Sequence, residues 1–351
     1  MRIFSAVFAT LAVALSLIFT GCERSVRTEE GPLRVVATIF PQFDFVRQVA
    51  GDRVELTMLL SPGAESHGFD PSPRDIITIN NADLLIYVGG HGDEWVAPIL
   101  VSLGREDMRT VALLDLVEVG HDHHGDFCEE CEEYHNGHHH AHTHHHHFCY
   151  ECEEYHNGHH HHHAHGHAHH HHHEHDHYDE HVWTCPRNAA LIVRALTEIL
   201  SELDPDNAYF FRANAAAYIA ELEELDRAFA DVVANAARTT VVFGDRFPFL
   251  YLTRSYGLTH FAAFSGCCVQ TQASPATIAF LIETVQRENI PVVFHIEFSN
   301  RLIANVIAEA TGARLLELHS LHNVSHADFT AGVTYLDLMR RNVEMLREAL
   351  N

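Results

Sequence analysis

LRVVATIFPQFDFVRQVAGDRVELTMLLSPGAESHGFDPSPRDIITINNADLLIYV, residues 33–88, is the stretch that decides the fold. Short apolar runs (LRVVAT, RVELTMLL, DLLIYV) alternate with the helix-patterned stretches PQFDFVRQVAG and PSPRDIITINNA, and DEWVAPILVSLG follows. Strands separated by helices of this length make βαβ crossovers and therefore a parallel sheet. The grammar resumes at TTVVF (239–243) and runs through LTHFAAF, SPATIAFLIETVQREN, PVVFHIEF, NRLIANVIAEATG and RLLEL to a single closing helix near 327–350. The expected fold is α/β: two lobes, each a parallel sheet flanked by helices.

Between the lobes, residues 204–237 are rich in Ala, Glu and Leu, contain no glycine, and place Pro205 and Asp206 at a helix start. Tyr209, Ala213, Ala216, Tyr218, Leu222, Leu225 and Phe229 recur at helical spacing. One long helix is expected to join the lobes as a stiff connector. The organisation is then a leader over 1–22, an N-terminal lobe over 33–203, the connecting helix over 204–237 and a C-terminal lobe over 238–351.

The leader begins with Arg2, continues as the apolar run Ile3 to Phe19, and stops at Thr20-Gly21-Cys22. A charged start, a short apolar stretch and a small residue at the break read as a secretory signal. The ending FTGC is similar to a bacterial lipobox, which makes Cys22 the lipidated residue and anchors the chain outside the cytoplasm, on the membrane or cell surface. A transmembrane anchor is the competing reading, because the run is close to the roughly 17-residue lower limit for spanning. The formal net charge of −26 argues against nucleic acid as a partner, since phosphate binding needs a basic face.

Of 35 histidines, 28 lie between residues 119 and 181. This segment contains a repeat, FCEECEEYHNGHHH from Phe127 and FCYECEEYHNGHHH from Phe148. A tract with almost no aliphatic side chains cannot offset its ordering entropy, so a long mobile loop is expected. Cys128, Cys131 and His135, and Cys149, Cys152 and His156, are expected as accessory metal ligands, each set becoming a tetrahedral zinc kit once a further histidine such as His138 or His159 joins. Cys185, Cys267 and Cys268 remain, and their pairing state is not readable from spacing.

A more specific site needs side chains that the fold positions. In open α/β sheets ligands bind beyond the carboxyl ends of the strands. His67 follows RVELTMLL, Asp245 follows TTVVF, Glu297 ends PVVFHIEF, and His319 and His322 follow RLLEL.

The segment from Leu59 to Gly89 resembles the metal-binding lipoproteins of zinc and manganese ABC importers, the class whose two lobes are joined by one rigid helix. Pro62, Gly63, Ala64, His67, Phe69, Pro73 and the run Asn81 to Leu84 match its first motif, and DEHVWTCPRNA its second, through Asp179, His181, Trp183 and Pro186. The resemblance runs from about Leu33 to the C-terminus, interrupted by the His/Cys tract. It implies His67 and His181 as the first two metal ligands. Where the family carries its third, in a pattern like HDAFGYF, this chain has GDRFPFLY, so Gly244 stands in the ligand's place. The fourth family position falls approximately at His322. The expected core is His67, His181 and His322, with Asp245, Glu297, His319 or water as further partners.

Three imidazoles favour Zn2+ over Mn2+, which prefers more oxygen ligands. The resemblance implies a monomeric, non-enzymatic solute-binding component that hands zinc to a membrane permease. Two other readings stay open. The tract could make the chain a surface zinc buffer or adhesin, and three histidines plus water could make a zinc hydrolase, although no HExxH motif is present.

Overall fold

The computed structural model describes residues 31–65, 68–117, 179–264 and 273–351. In the first lobe the chain runs β1 (Leu33–Ala37), α1 (Phe40–Ala50), β2 (Val54–Met58), α2 (Pro73–Asn80), β3 (Leu84–Tyr87), α3 (Val96–Leu103) and β4 (Arg109–Ala112). All pairings are parallel, in the order β2-β1-β3-β4. The apolar runs are explained by this placement: a parallel strand covered on both faces has no wet side, and Leu84, Leu85 and Ile86 are all buried. Helix α2 starts where Ser72 and Asp75 form a reciprocal cap and Pro73 occupies a position whose N–H has no intrahelical partner.

Two long helices follow, α4 (Pro186–Leu203) and α5 (Ala208–Ala234), packed against each other. Helix α5 buries Phe211, Ala215, Tyr218, Leu222, Leu225, Phe229 and Val232. These recur in alternating steps of four and three, the spacing of one continuous helix seam. The expected stripe is correct from Tyr218 onward and out of phase before it. Tyr209 is 87% exposed and Phe211 takes the inward position.

The second lobe repeats the first, with β5 (Thr240–Phe243), α6 (Leu250–Tyr256), β6 (Thr259–Ala262), α7 (Pro275–Arg287), β7 (Val292–His295), α8 (Leu302–Thr311) and β8 (Arg314–Glu317), again parallel in the order β6-β5-β7-β8. The single closing helix expected near 327–350 is two, α9 (His326–Thr330) and α10 (Tyr335–Leu350). Gly332 turns the backbone at φ 72°, and Thr334 with Asp337 caps a fresh helix start.

The largest of three apolar clusters among the described residues runs through both lobes, including Phe45 of α1, Trp183, Phe229 of α5, Phe243 of β5 and Tyr335 of α10. Asp44 of α1, fully buried, accepts the Tyr335 backbone N–H at 2.6 Å and pairs with Arg47. Burial pushes its carboxyl pKa up, and the Arg47 charge opposes that shift. Arg47 also donates to the Val333 carbonyl, and the Tyr335 hydroxyl donates to the Trp183 carbonyl at 2.7 Å. Helix α10 is therefore fastened to the first lobe by polar bonds inside an apolar seam.

Candidate metal centre

In both sheets the strand order reverses direction beside the first strand, which creates a crevice at the carboxyl ends of β1 and β3 and of β5 and β7. The two crevices meet along the seam. Phe40 N–H donates to the His322 carbonyl at 3.3 Å, Gly63 N–H to the Val324 carbonyl at 2.8 Å, and Asn323 Nδ2 to the Ser61 and Ala64 carbonyls at 2.7 and 2.9 Å.

His181 sits at the start of a tight turn, Val182–Thr184, that leads into α4. Its carbonyl accepts from the Thr184 N–H and hydroxyl at 3.0 and 2.8 Å, which fixes the backbone. Trp183 is wholly buried and donates its Nε1–H to the Ser320 carbonyl at 2.9 Å, so this turn is bound to the loop after β8. That loop carries His322. The His181 and His322 rings stand edge to face with centroids 4.6 Å apart, and Trp183 lies 4.9 Å from His322 at 77°. An imidazole from each lobe thus meets against one indole.

The loop is held in an unusual shape. Leu321, buried, has φ 66°, a left-handed conformation that disfavours side chains. His319 N–H donates to Asn342 Oδ1 and Asn342 Nδ2 donates back to the His319 carbonyl, both at 2.8 Å. Glu297 accepts from the Ser320 N–H at 2.7 Å and from the Ser320 hydroxyl at 2.5 Å.

The other expected partners are placed as follows. Asp245 accepts from Arg246 N–H at 2.9 Å and from Ile296 N–H at 3.3 Å, so its carboxylate bridges the ends of β5 and β7. Asp245, Glu297 and His322 all line a cleft of about 540 Å³, and an Arg246–Glu65 ion pair at 3.2 Å lies at its edge. His319 turns its Nδ1 to the Leu321 N–H at 3.0 Å and stands 3.7 Å from Glu297. Gly244 packs against helix α8: a Cβ there would lie 2.7 Å from both the N and the Cβ of Ala304. The position that carries a ligand in the resembled family has no space for a side chain here.

His67, Cys22, Cys128, Cys131, His135, Cys149, Cys152, His156, Cys267 and Cys268 lie outside the described residues. Among the described residues, no three His, Cys, Asp or Glu side chains converge closely enough to hold an ion. The residues flanking His67 do reach the site. Glu65 lines the large cleft, and Phe69 lines a small cavity with Trp183 and His322.

Asp93 and Glu180 face the same small cavity. Burial raises the Asp93 pKa to about 6 against the N–H bonds it accepts from Val88 (2.6 Å) and Gly89 (3.1 Å), and the Glu180 charge raises it further. Burial likewise raises Glu180, which accepts from the Gly92 N–H at 3.0 Å. Sequence reasoning missed Ser320, Asn323, Asn342 and Asp93. The position of Asp93, a carboxylate a few residues after β3, was a usable signal; the rest depend on contacts across the chain.

Duplicated parallel sheets flanked by helices, together with the long helix α5, define a two-lobed α/β fold of the ZnuA-like class. The chain belongs to the ZnuA family, described as zinc-uptake complex component A, periplasmic, which it matches over residues 35–349. It is 28% identical over 341 residues to the zinc-binding lipoprotein AdcA of Streptococcus pneumoniae, a match that covers 96% of this chain and 60% of that protein. It is 27% identical over 318 residues to the high-affinity zinc uptake system protein ZnuA of Bacillus subtilis, covering 91% of this chain and 88% of that protein. The chain therefore spans about 60% of the length of the AdcA relative. The crystal structure of the Zn(II)-bound ZnuA-like domain of S. pneumoniae AdcA superposes with a TM-score of 0.67 at 25% identity, covering 91% of this chain and 99% of that one. The laminin-binding adhesin Lmb of Streptococcus agalactiae shares the fold, with a TM-score of 0.69 at 22% identity over 91% of this chain and 100% of that one.

Proposed function

We propose that this chain is the extracytoplasmic zinc-binding component of an ABC importer: it captures Zn2+ at the seam between its lobes and delivers it to a membrane permease. The observation that carries the reading is the juxtaposition of His181 and His322, ring centroids 4.6 Å apart, one supplied by each lobe. His67 completes a set of three imidazoles, with Asp245, Glu297, His319 or water as further partners. Neutral imidazoles suit zinc better than manganese, and the zinc-binding names of the relatives agree. A lipid on Cys22 tethers the chain as a monomer outside the cytoplasm, with lobes over 33–203 and 238–351 and the connector over 204–237.

A zinc buffer or adhesin role for the His/Cys repeats is the second reading, favoured by the internal duplication from Phe127 and Phe148. Growth under zinc limitation separates the two. Replacing His181 and His322 together by Ala, with the tract untouched, abolishes rescue of an importer-deficient strain if the seam is the transport site. Undiminished rescue by that variant transfers the function to the tract.

A further inference from the structure

His322 does not stand alone at the seam, because its ring is linked through one hydroxyl to a buried carboxylate. Ser320 Oγ lies 2.5 Å from Glu297 Oε1 and 3.3 Å from His322 Nδ1. Glu297 is buried, and its other oxygen is occupied by the Ser320 backbone N–H at 2.7 Å. A carboxylate only accepts, so the serine proton points to Glu297. With that proton committed, the oxygen of Ser320 can only accept from the imidazole, which places the His322 proton on Nδ1 and the ring's lone pair on Nε2. The same oxygen receives the His322 backbone N–H at 3.4 Å, which turns ring and main chain toward one acceptor.

His319, the nearest alternative, is excluded from this relay by its own bonding. Its Nδ1 accepts the Leu321 N–H and so presents no proton to Glu297, 3.7 Å away. The left-handed backbone at Leu321 brings Ser320 and His322 to the same side of the loop.

We propose that Ser320 and Glu297 form a positioning relay that fixes His322 in the Nδ1–H tautomer and so presents Nε2 to the metal. This inference rests on the reading of His322 as a zinc ligand. Outer groups that orient ligating histidines typically change metal affinity by about 10–100-fold when removed.

The test uses the full chain. Long-range 15N–1H spectra of the metal-free protein, with His322 assigned by its loss in His322→Gln, report the tautomer directly. Zinc at the seam is followed by indole emission, since Trp183 lies 4.9 Å from the His322 ring. The expected results are an Nδ1–H imidazole in the wild type, a mixed or Nε2–H imidazole in Ser320→Ala with affinity reduced about 10–100-fold, and recovery of both in Ser320→Thr, which keeps the hydroxyl. An Nε2–H imidazole in the wild type overturns the relay without any variant. So does a Ser320→Ala protein with unchanged tautomer and affinity while His322→Gln loses zinc at the seam. If His322→Gln binds zinc there as the wild type does, the ligand reading fails and the relay's purpose with it.

Discussion

Gly244 shows how one residue can settle what a site lacks. With a Cβ only 2.7 Å from Ala304 backbone nitrogen, the end of β5 and helix α8 are closer than any side chain allows. Overpacking against backbone costs roughly 1–3 kcal/mol, because the helix must move. Gly244→Ala is expected to lower the stability of the metal-free protein by about 2 kcal/mol in thermal unfolding. Gly244→His is expected to be at least as unstable and to leave zinc affinity at the seam no tighter. A Gly244→His protein of wild-type stability with tighter zinc would show that the helix yields and that the place remains available to a ligand.

At the scale of elements, the strands were legible because buried parallel strands are written as apolar runs, and of the residues after them Asp245, Glu297 and His322 line one cleft, with His319 3.7 Å from Glu297. What escaped was tertiary. The inward phase of α5 at Phe211 is chosen by its neighbours, and Ser320 is tied to Glu297 and His319 to Asn342 across 23 residues in each case. Asp93 is the local exception, joining a short turn to the end of β3 through the backbone N–H groups of Val88 and Gly89. Its folded pKa, about 6, lies above the ordinary 3.8. The folded state therefore holds this proton more tightly, and the stability so gained is full below about pH 4 and disappears as pH rises through 6. Asp93→Asn keeps an acceptor and cannot ionise, so it is expected to unfold less readily than the wild type at pH 7 by about 1–3 kcal/mol, with the advantage vanishing near pH 4. Chemical denaturation of the zinc-free protein at the two pH values measures it; a constant difference between them would contradict the assignment.

Over the whole molecule, the core from Phe45 to Tyr335 is shared by both lobes, which ties their unfolding together although each lobe also has a smaller apolar cluster of its own. Calorimetry of the metal-free chain is expected to give one cooperative transition, with van't Hoff and calorimetric enthalpies equal. Zinc that binds only the folded seam should move that transition upward, by about 4 kcal/mol when free zinc is 1,000 times the dissociation constant. Two resolved transitions would mean that the lobes are energetically separate despite their shared interior.

The backbone bonds from Phe40 and Gly63 to the His322 and Val324 carbonyls bear on how an ion departs. Clam-like binding proteins let go of cargo by swinging shells around a hinge. Here the shells are laced together beside the imidazoles, and the C-terminal helix is pinned by Asp44. If the seam holds the ion proposed above, its release is expected to need only a local opening of the loop from Ser320 to Val324, with the two shells staying in register.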